Sequence, residues 1–286
     1  MTEGGTLLAS HAAPLRWLIG TELARYRTSA RLSLSEASTR TGISKAKLNH
    51  LENGRQQQDP DDIAVLLKAY GAEQRDIDRL TSLTGRADDA TWWAPWAAVV
   101  PDWLKTFVGL EGLAGSEFTF EPTIIPGLLQ TQEYAAAITA KSPRVRGDHG
   151  ERFVSFRMAR TRRLTAADRP LALHAVVTEG ALRLAVGDAD LRRAQLEHLL
   201  ELAKLPTVTL QVVRPEDGPH TALAGPFVLL DFESARPICY VELKDGAVYL
   251  QESDQVSTYR MVASDLQQVA LGPEQSVALI EAMLAQ

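Results

Sequence analysis

The stretch SLSEASTRTGISKAKLNHLENGRQQQDPDD, residues 33 to 62, constrains the fold more than any other part of the chain, because it writes out one helix start and stop after another. Ser33 and Glu36 stand at the S-x-x-E spacing of a capping box, in which the hydroxyl accepts an orphan N–H and the carboxylate reaches back to the cap. Gly42 supplies the positive φ that ends that helix in a tight reversal. Ser44 caps a third helix that Gly54 ends, and Asp59 followed by Pro60 and two further acids opens a fourth. Upstream, Leu15, Leu18, Ile19, Leu23 and Tyr26 fall on a helical period, and a fifth helix is expected from about Gln74 to Thr84. Two short helices joined by a Gly-containing turn form a helix-turn-helix.

Projected at 100° per residue, the third helix puts Ser44, Leu48 and Leu51 on one face. Ala46, Asn49 and His50 lie opposite, with Lys45 and Lys47 on the flanks. A small, amide-bearing, basic face suits a DNA major groove: Asn pairs bidentately with adenine, Lys reaches guanine or phosphate, and Ala admits close approach or meets a thymine methyl. A helix with a purely structural role more often exposes Glu/Lys pairs four apart. Charge agrees. The chain carries a net −6, yet residues 1 to 86 hold 12 Lys and Arg against 10 Asp and Glu, while residues 87 to 286 hold 18 against 26. Residues 27 to 58 alone hold six basic and two acidic side chains, a patch suited to a polyanion.

Residues 15 to 83 resemble the helix-turn-helix family of the Cro and phage-repressor type (the XRE, or lambda repressor-like, group), through the GIS...L..LENGR string and the Asp/Pro-rich start that follows. The resemblance implies that the third helix is the recognition helix, residues 44 to 50, and that Arg55 lies beside the DNA backbone. The implied DNA-contacting set is Ser44, Lys45, Ala46, Lys47, Asn49, His50 and Arg55. Ser38 departs from the Ala usual in that family at the packing position of the second helix, and serine is small enough to pack there.

The remaining two-thirds needs another role. TWWAPWAAVVPDW holds four of the five tryptophans, broken up by Pro95 and Pro101, and reads as anchors seating one domain on another rather than as a cage for a cation. From Phe107 to Ala140 the pattern reads as helical, interrupted by EPTIIPG. There Pro122 and Pro126 bar helical geometry at the residues before them, and Thr131 then caps QEYAAAITA. A basic run at 144 to 163 carries seven arginines. Phe153, Phe156, Met158 and Leu164 are expected inside it, with Arg157, Arg160, Arg162 and Arg163 largely solvated, on a solvated or acid-paired helix rather than at a secondary phosphate contact. LALHAVVTE, TVTLQVV, PFVLLDF, ICYVEL and AVYLQE read as five strands, with one helix between the first two, a tight turn at Asp245-Gly246 and two closing helices.

No zincin, nucleophile-elbow, Walker or dinucleotide motif is present, and the six histidines show no zinc spacing with the lone Cys239. A non-enzymatic chain without cofactor or metal is expected. Glu179, Arg183 and His220 at strand ends and in loops, with Gln130 and Glu133 at the proline corner, are the candidates for a ligand or partner site. A single cysteine, no signal-peptide pattern and no apolar run near ~20 residues predict a cytoplasmic protein.

The whole chain, residues 15 to 285, resembles an actinobacterial helix-turn-helix regulator carrying a DUF5753 domain, also called the Scr1 antitoxin-like type. The carriers are VPDWLKTFVGLEG, FEPTIIPGLLQTQEYA with Phe120 in place of Tyr, RAQLEHLLELAKLPTVTLQVV, GPFVLLDF and YVEL. That resemblance implies a transcriptional regulator, often encoded beside a small DUF397-type protein thought to be its partner, and it implies no catalytic residue. The expected architecture is an all-α helix-turn-helix domain at 13–86, a Trp/Pro-rich connector at 87–106, and an α+β effector domain at 107–286 with a mainly antiparallel sheet of about five strands. The expected assembly is a homodimer on a palindromic double-stranded operator.

Overall fold

The computed structural model of the chain describes residues 6–7, 14–84, 93–143, 145–233 and 235–285. The expected boundary at residues 86–87, Trp92 and Arg144 lie outside them.

Five helices fill the N-terminal region: α1 (Pro14–Ser29), α2 (Leu34–Thr41), α3 (Lys45–Glu52), α4 (Pro60–Ala69) and α5 (Gln74–Thr84). Their ends follow the caps. Glu36 N–H donates to the Ser33 hydroxyl at 3.2 Å while Ser33 N–H donates to the Glu36 carboxylate at 2.8 Å, and Gly42 sits at φ 72. Asp59 caps α4 with Pro60 in its first turn. The first half of α1 is buried on most of its sides, and the helix carries charged residues at Arg16, Glu22, Arg25 and Arg27. Leu15, Trp17, Leu18, Ile19 and Leu23 are all in the core.

Beyond η1, a 3-10 turn at Ala94–Trp96, follows α6 (Asp102–Leu113) and then a strand. The C-terminal region contains β2 (Ser116–Glu121), α7 (Gln132–Ala140), α8 (Gly150–Thr161), β3 (Ala172–Thr178), α9 (Glu179–Arg183), α10 (Ala189–Leu202) and β4 (Val208–Val213). It ends in β5 (Phe227–Asp231), β6 (Ile238–Leu243), β7 (Gly246–Leu250), α11 (Ser253–Val269) and α12 (Pro273–Leu284). These six strands form a mixed sheet, to which a two-residue strand, β1 (Thr6–Leu7), adds antiparallel at the β7 edge; the order is β1-β7-β6-β5-β2-β3-β4.

Two expectations change here. The sheet has six strands in this region instead of about five, and it is mixed: β3 runs parallel to both β2 and β4, while β2–β5, β5–β6 and β6–β7 are antiparallel. The additional strand is β2, SEFTFE, inside the segment read as helical. It pairs Phe118 with His174 on one side and with Leu229 on the other, which makes it an interior strand. The chain reaches a parallel β3 from β2 through a crossover containing α7 and α8, as parallel pairing requires.

Alternation along β2 sets the layers. Phe118 and Phe120 join Val176, Phe227, Cys239 and the α11 residues Val256, Ala263 and Leu266 in a core on one face. Glu117, Thr119 and Glu121 take the opposite face, toward α6 and α8. The core on that side is continuous with that of the helical head: Trp17, Leu48 and Ile63 belong to the same cluster as Phe107, Phe156 and Tyr249. The contacts joining them are close. The Trp17 and Tyr249 ring centroids are 5.1 Å apart, and Pro14 lies so near Gly109 of α6 that a Cβ there would fall 1.8 Å from the Pro14 ring. Arg79 holds Glu22 bidentately at 2.9 and 2.7 Å, and the same carboxylate accepts the Arg236 backbone N–H at 3.4 Å, tying α1, α5 and the approach to β6 together. Trp96 acts as an anchor, 6.2 Å from Phe156 of α8.

Candidate nucleic-acid interface

Helix α3 is held from beneath at both ends. Lys47 N–H donates to the Ser44 hydroxyl at 3.3 Å, which starts the helix. At the other end Gly54, at φ 63, donates to the Leu51 carbonyl while Arg55 N–H donates to the His50 carbonyl at 2.9 Å; this is a Schellman closure that fixes where Arg55 leaves the helix. Two glycines let α1 and α3 touch backbone to backbone. A Cβ on Gly20 would lie 2.5 Å from the Glu52 carbonyl oxygen, and one on Gly54 would lie 2.7 Å from the Trp17 nitrogen. Gln58 bridges the same two helices, donating to the Arg16 and Leu51 carbonyls at 2.9 Å. Arg27 of α1 grips Glu52 bidentately at 2.7 and 2.8 Å.

With Leu48 and Leu51 buried beneath, Lys45, Ala46, Asn49, His50 and Arg55 are exposed together. Ser44 is exposed as well, as a cap at the helix start, and not on the buried face the projection gives it. Lys47 is half-buried and its Nζ lies 2.6 Å from Asp62 of α4. Asn53 donates to the Asn49 side-chain oxygen at 3.1 Å, so the amide at the centre of the exposed face is already oriented. Arg40, in the last turn of α2, and Gln56 and Gln57 beyond Arg55 are also exposed beside this surface. Their sequence signals are a basic residue ahead of the turn and a polar run behind α3.

The candidate ligand residues fall at separate places. Gln130 is buried at the proline corner, donating to the Ile125 carbonyl at 2.7 Å and accepting from Arg157 at 3.0 Å. Around it the corner is rigid: Gln195 of α10 accepts the Thr131 N–H and donates to the Leu129 carbonyl, both at 2.8 Å, and Thr131 caps α7. Glu133 is exposed on the next turn and lines a second groove with Trp96 and Arg146. Glu179 and Arg183 pair with each other at 2.6 Å along α9. The His220 ring lies edge-on to Phe120 with its Nδ1 accepting the Ala222 N–H.

Gln130 opens instead on a cavity of about 570 Å³ between α6, the corner, α8 and the sheet, lined among others by Phe107, Glu117, Arg157, Tyr240 and Glu242. Here the expectation of solvated arginines holds at Arg162, which is exposed, and fails at Arg157, Arg160 and Arg163. Arg160 is buried and grips Glu111 of α6, Nε to Oε1 at 3.1 Å, and Arg157 is half-buried with its guanidinium facing the cavity. Burial, and next the Arg160 charge, push Arg157 down to about 10, so it stays a cation at neutral pH. Burial first, then the Glu111 charge, hold Glu117 well above the usual carboxylate range, and its Oε2 has no hydrogen-bond partner among the described residues. Arg163 is half-buried too, and spans the Ala114 and Arg169 carbonyls. Nothing local in the sequence separates a buried arginine from a solvated one; Glu111 stands 49 residues from Arg160.

Residues 104–282 match the family described as a domain of unknown function, DUF5753, and residues 18–80 match a helix-turn-helix domain. No curated protein and no solved structure matches the chain. Among the described residues no helix is long and apolar enough to cross a membrane.

Proposed function

The chain belongs to the DUF5753 family and carries a helix-turn-helix domain; from that premise we propose that it is a sequence-specific transcriptional regulator. In this reading it binds a palindromic double-stranded operator as a homodimer, with α3 in the major groove. The observation that carries the reading is the exposed face of α3, which offers Ala46, Asn49 and His50 to base edges with Lys45 and Arg55 beside them. Asn49 reads a base, Ala46 packs on the groove floor, and Lys45, Lys47 and Arg55 meet phosphates. Ser44 and His50 complete the contact set at the two ends of the helix. A two-fold dimer would place its recognition helices ~34 Å apart.

The C-terminal domain then binds a partner of the DUF397 type or sets the geometry of the dimer, with Glu133 on the exposed groove beside α7 and Glu179 and Arg183 on α9 as contact points. A second reading, control by a small molecule, is favoured by the cavity beside Gln130. His220 packs behind that cavity's Phe120 wall.

Selection of operator sequences from a random duplex pool tests the first reading. Enrichment of a two-fold symmetric site by the native protein supports it, and enrichment of nothing above the input pool contradicts it.

A further inference from the structure

Arg157 differs from the three interior arginines that each clasp a glutamate. Arg27, Arg79 and Arg160 each hold a glutamate with two nitrogens. Among the described residues Arg157 donates one hydrogen bond, to the neutral Gln130 amide, and its Nε has no partner. Its guanidinium also lies over the Phe153 ring, 5.3 Å from the centroid, a contact that orients the cation without neutralising it. Taking a guanidinium out of water with one hydrogen bond is unfavourable unless an anion completes it. The opening in front of it is the cavity already described, with volume for a small organic molecule. Gln130, pinned through its own amide nitrogen, prevents Arg157 from swinging away.

Three glutamates and an apolar wall define what fits. The buried Glu117 leaves Oε2 unpartnered on the same cavity wall; a carboxyl held in its neutral form there donates a hydrogen bond to an anion instead of repelling it. Glu121 and Glu242 also line the cavity, and their charges oppose a ligand with a second negative group. Leu104, Ile125 and Phe227 supply apolar walls for a hydrocarbon body.

We propose that this cavity is a binding site for a monocarboxylate with an apolar body, whose carboxylate pairs with Arg157 and accepts from Glu117. The ligand is either a free organic acid or the carboxyl terminus of a peptide segment. The proposal deepens the small-molecule reading of the C-terminal domain, and its test uses no DNA, so it and the operator reading fail separately.

The test is thermal unfolding of the full chain with millimolar 4-phenylbutyrate and N-acetyl-leucine, each beside its uncharged amide. The carboxylates are expected to raise Tm by ~2 °C or more and the amides to leave it unchanged. A larger shift with 4-phenylbutyrate assigns the site to free acids, and a larger shift with N-acetyl-leucine assigns it to a peptide terminus. Arg157→Met, which removes the cation facing the cavity, is expected to abolish the shift, while Arg157→Lys retains part of it. Equal shifts from acids and amides, no shift from either acid, or an undiminished shift in Arg157→Met would overturn the proposal.

Discussion

The indole of Trp17 in α1 lies 5.1 Å from the phenol ring of Tyr249 in β7, and Tyr249 in turn lies 5.3 Å from Tyr240 on the cavity wall. One turn after Trp17, Gly20 meets the carbonyl end of α3. The helix that seats α3 is therefore part of the same packed core as the sheet. A cooperative unit follows from that continuity. Calorimetry of the full chain should show a single transition, and Tyr249→Ala should destabilise it by about 3 to 5 kcal/mol. Two resolved transitions, with only the later one moved by the substitution, would show that head and sheet melt independently.

Gly54 and Gly42 both adopt positive φ, but only Gly54 is crowded, by the Arg16–Trp17 backbone; nothing lies within 4 Å of a Cβ at Gly42. Gly42→Ala should cost the left-handed penalty alone, ~1 to 2 kcal/mol. Gly54→Ala adds a backbone clash to that penalty and should cost clearly more, with weaker DNA binding as α3 shifts. Chemical denaturation of the two variants checks the order, and equal losses would mean that the α1–α3 contact is softer than described.

In the proposed interface Lys47 meets phosphate, and its Nζ is already paired with Asp62. Asp62→Asn releases it, so binding to all sequences should tighten and the slope of log affinity against log salt should steepen by about one unit. Lys47→Ala should weaken binding to specific and random DNA alike. Titrations across a salt series decide the matter; an unchanged slope in Asp62→Asn would leave Lys47 outside the phosphate contacts.

Glu117 makes stability depend on pH. Its folded carboxyl binds its proton more tightly than an ordinary glutamate at 4.5, because of burial and the Glu111 charge. Below that ordinary value both folded and unfolded chains are protonated and the group contributes nothing. As pH rises above it, the unfolded chain ionises first and the folded state loses relative stability. Glu117→Gln should therefore raise Tm more at pH 8 than at pH 4, and an equal change at both would place the ionised form inside the native protein.

What the sequence made legible was local. Capping at Ser33, Ser44, Asp59 and Thr131 and the stops at Gly42 and Gly54 depend on residues within a few positions of one another, and each appears in the structure. Strand β2 was missed because SEFTFE is short and lies between two helical periodicities, although its Phe118 and Phe120 alternate with polar residues as a strand should. The cavity was out of reach for a different reason. The partners of Arg157 and Arg160 come from α6 and the proline corner, so whether those arginines are buried is settled by tertiary packing and not by spacing along α8. The corner itself reads correctly as a fixed turn, and the structure adds that its Gln130 holds an arginine at the edge of an internal space.

The central claim is that the exposed face of α3 reads bases. Its most direct test is the affinity of Asn49→Ala for a selected operator and for random duplex at the same salt concentration. A loss of ~1 to 3 kcal/mol on the operator with random DNA unaffected is the expected result. Unchanged discrimination between the two DNAs would contradict it.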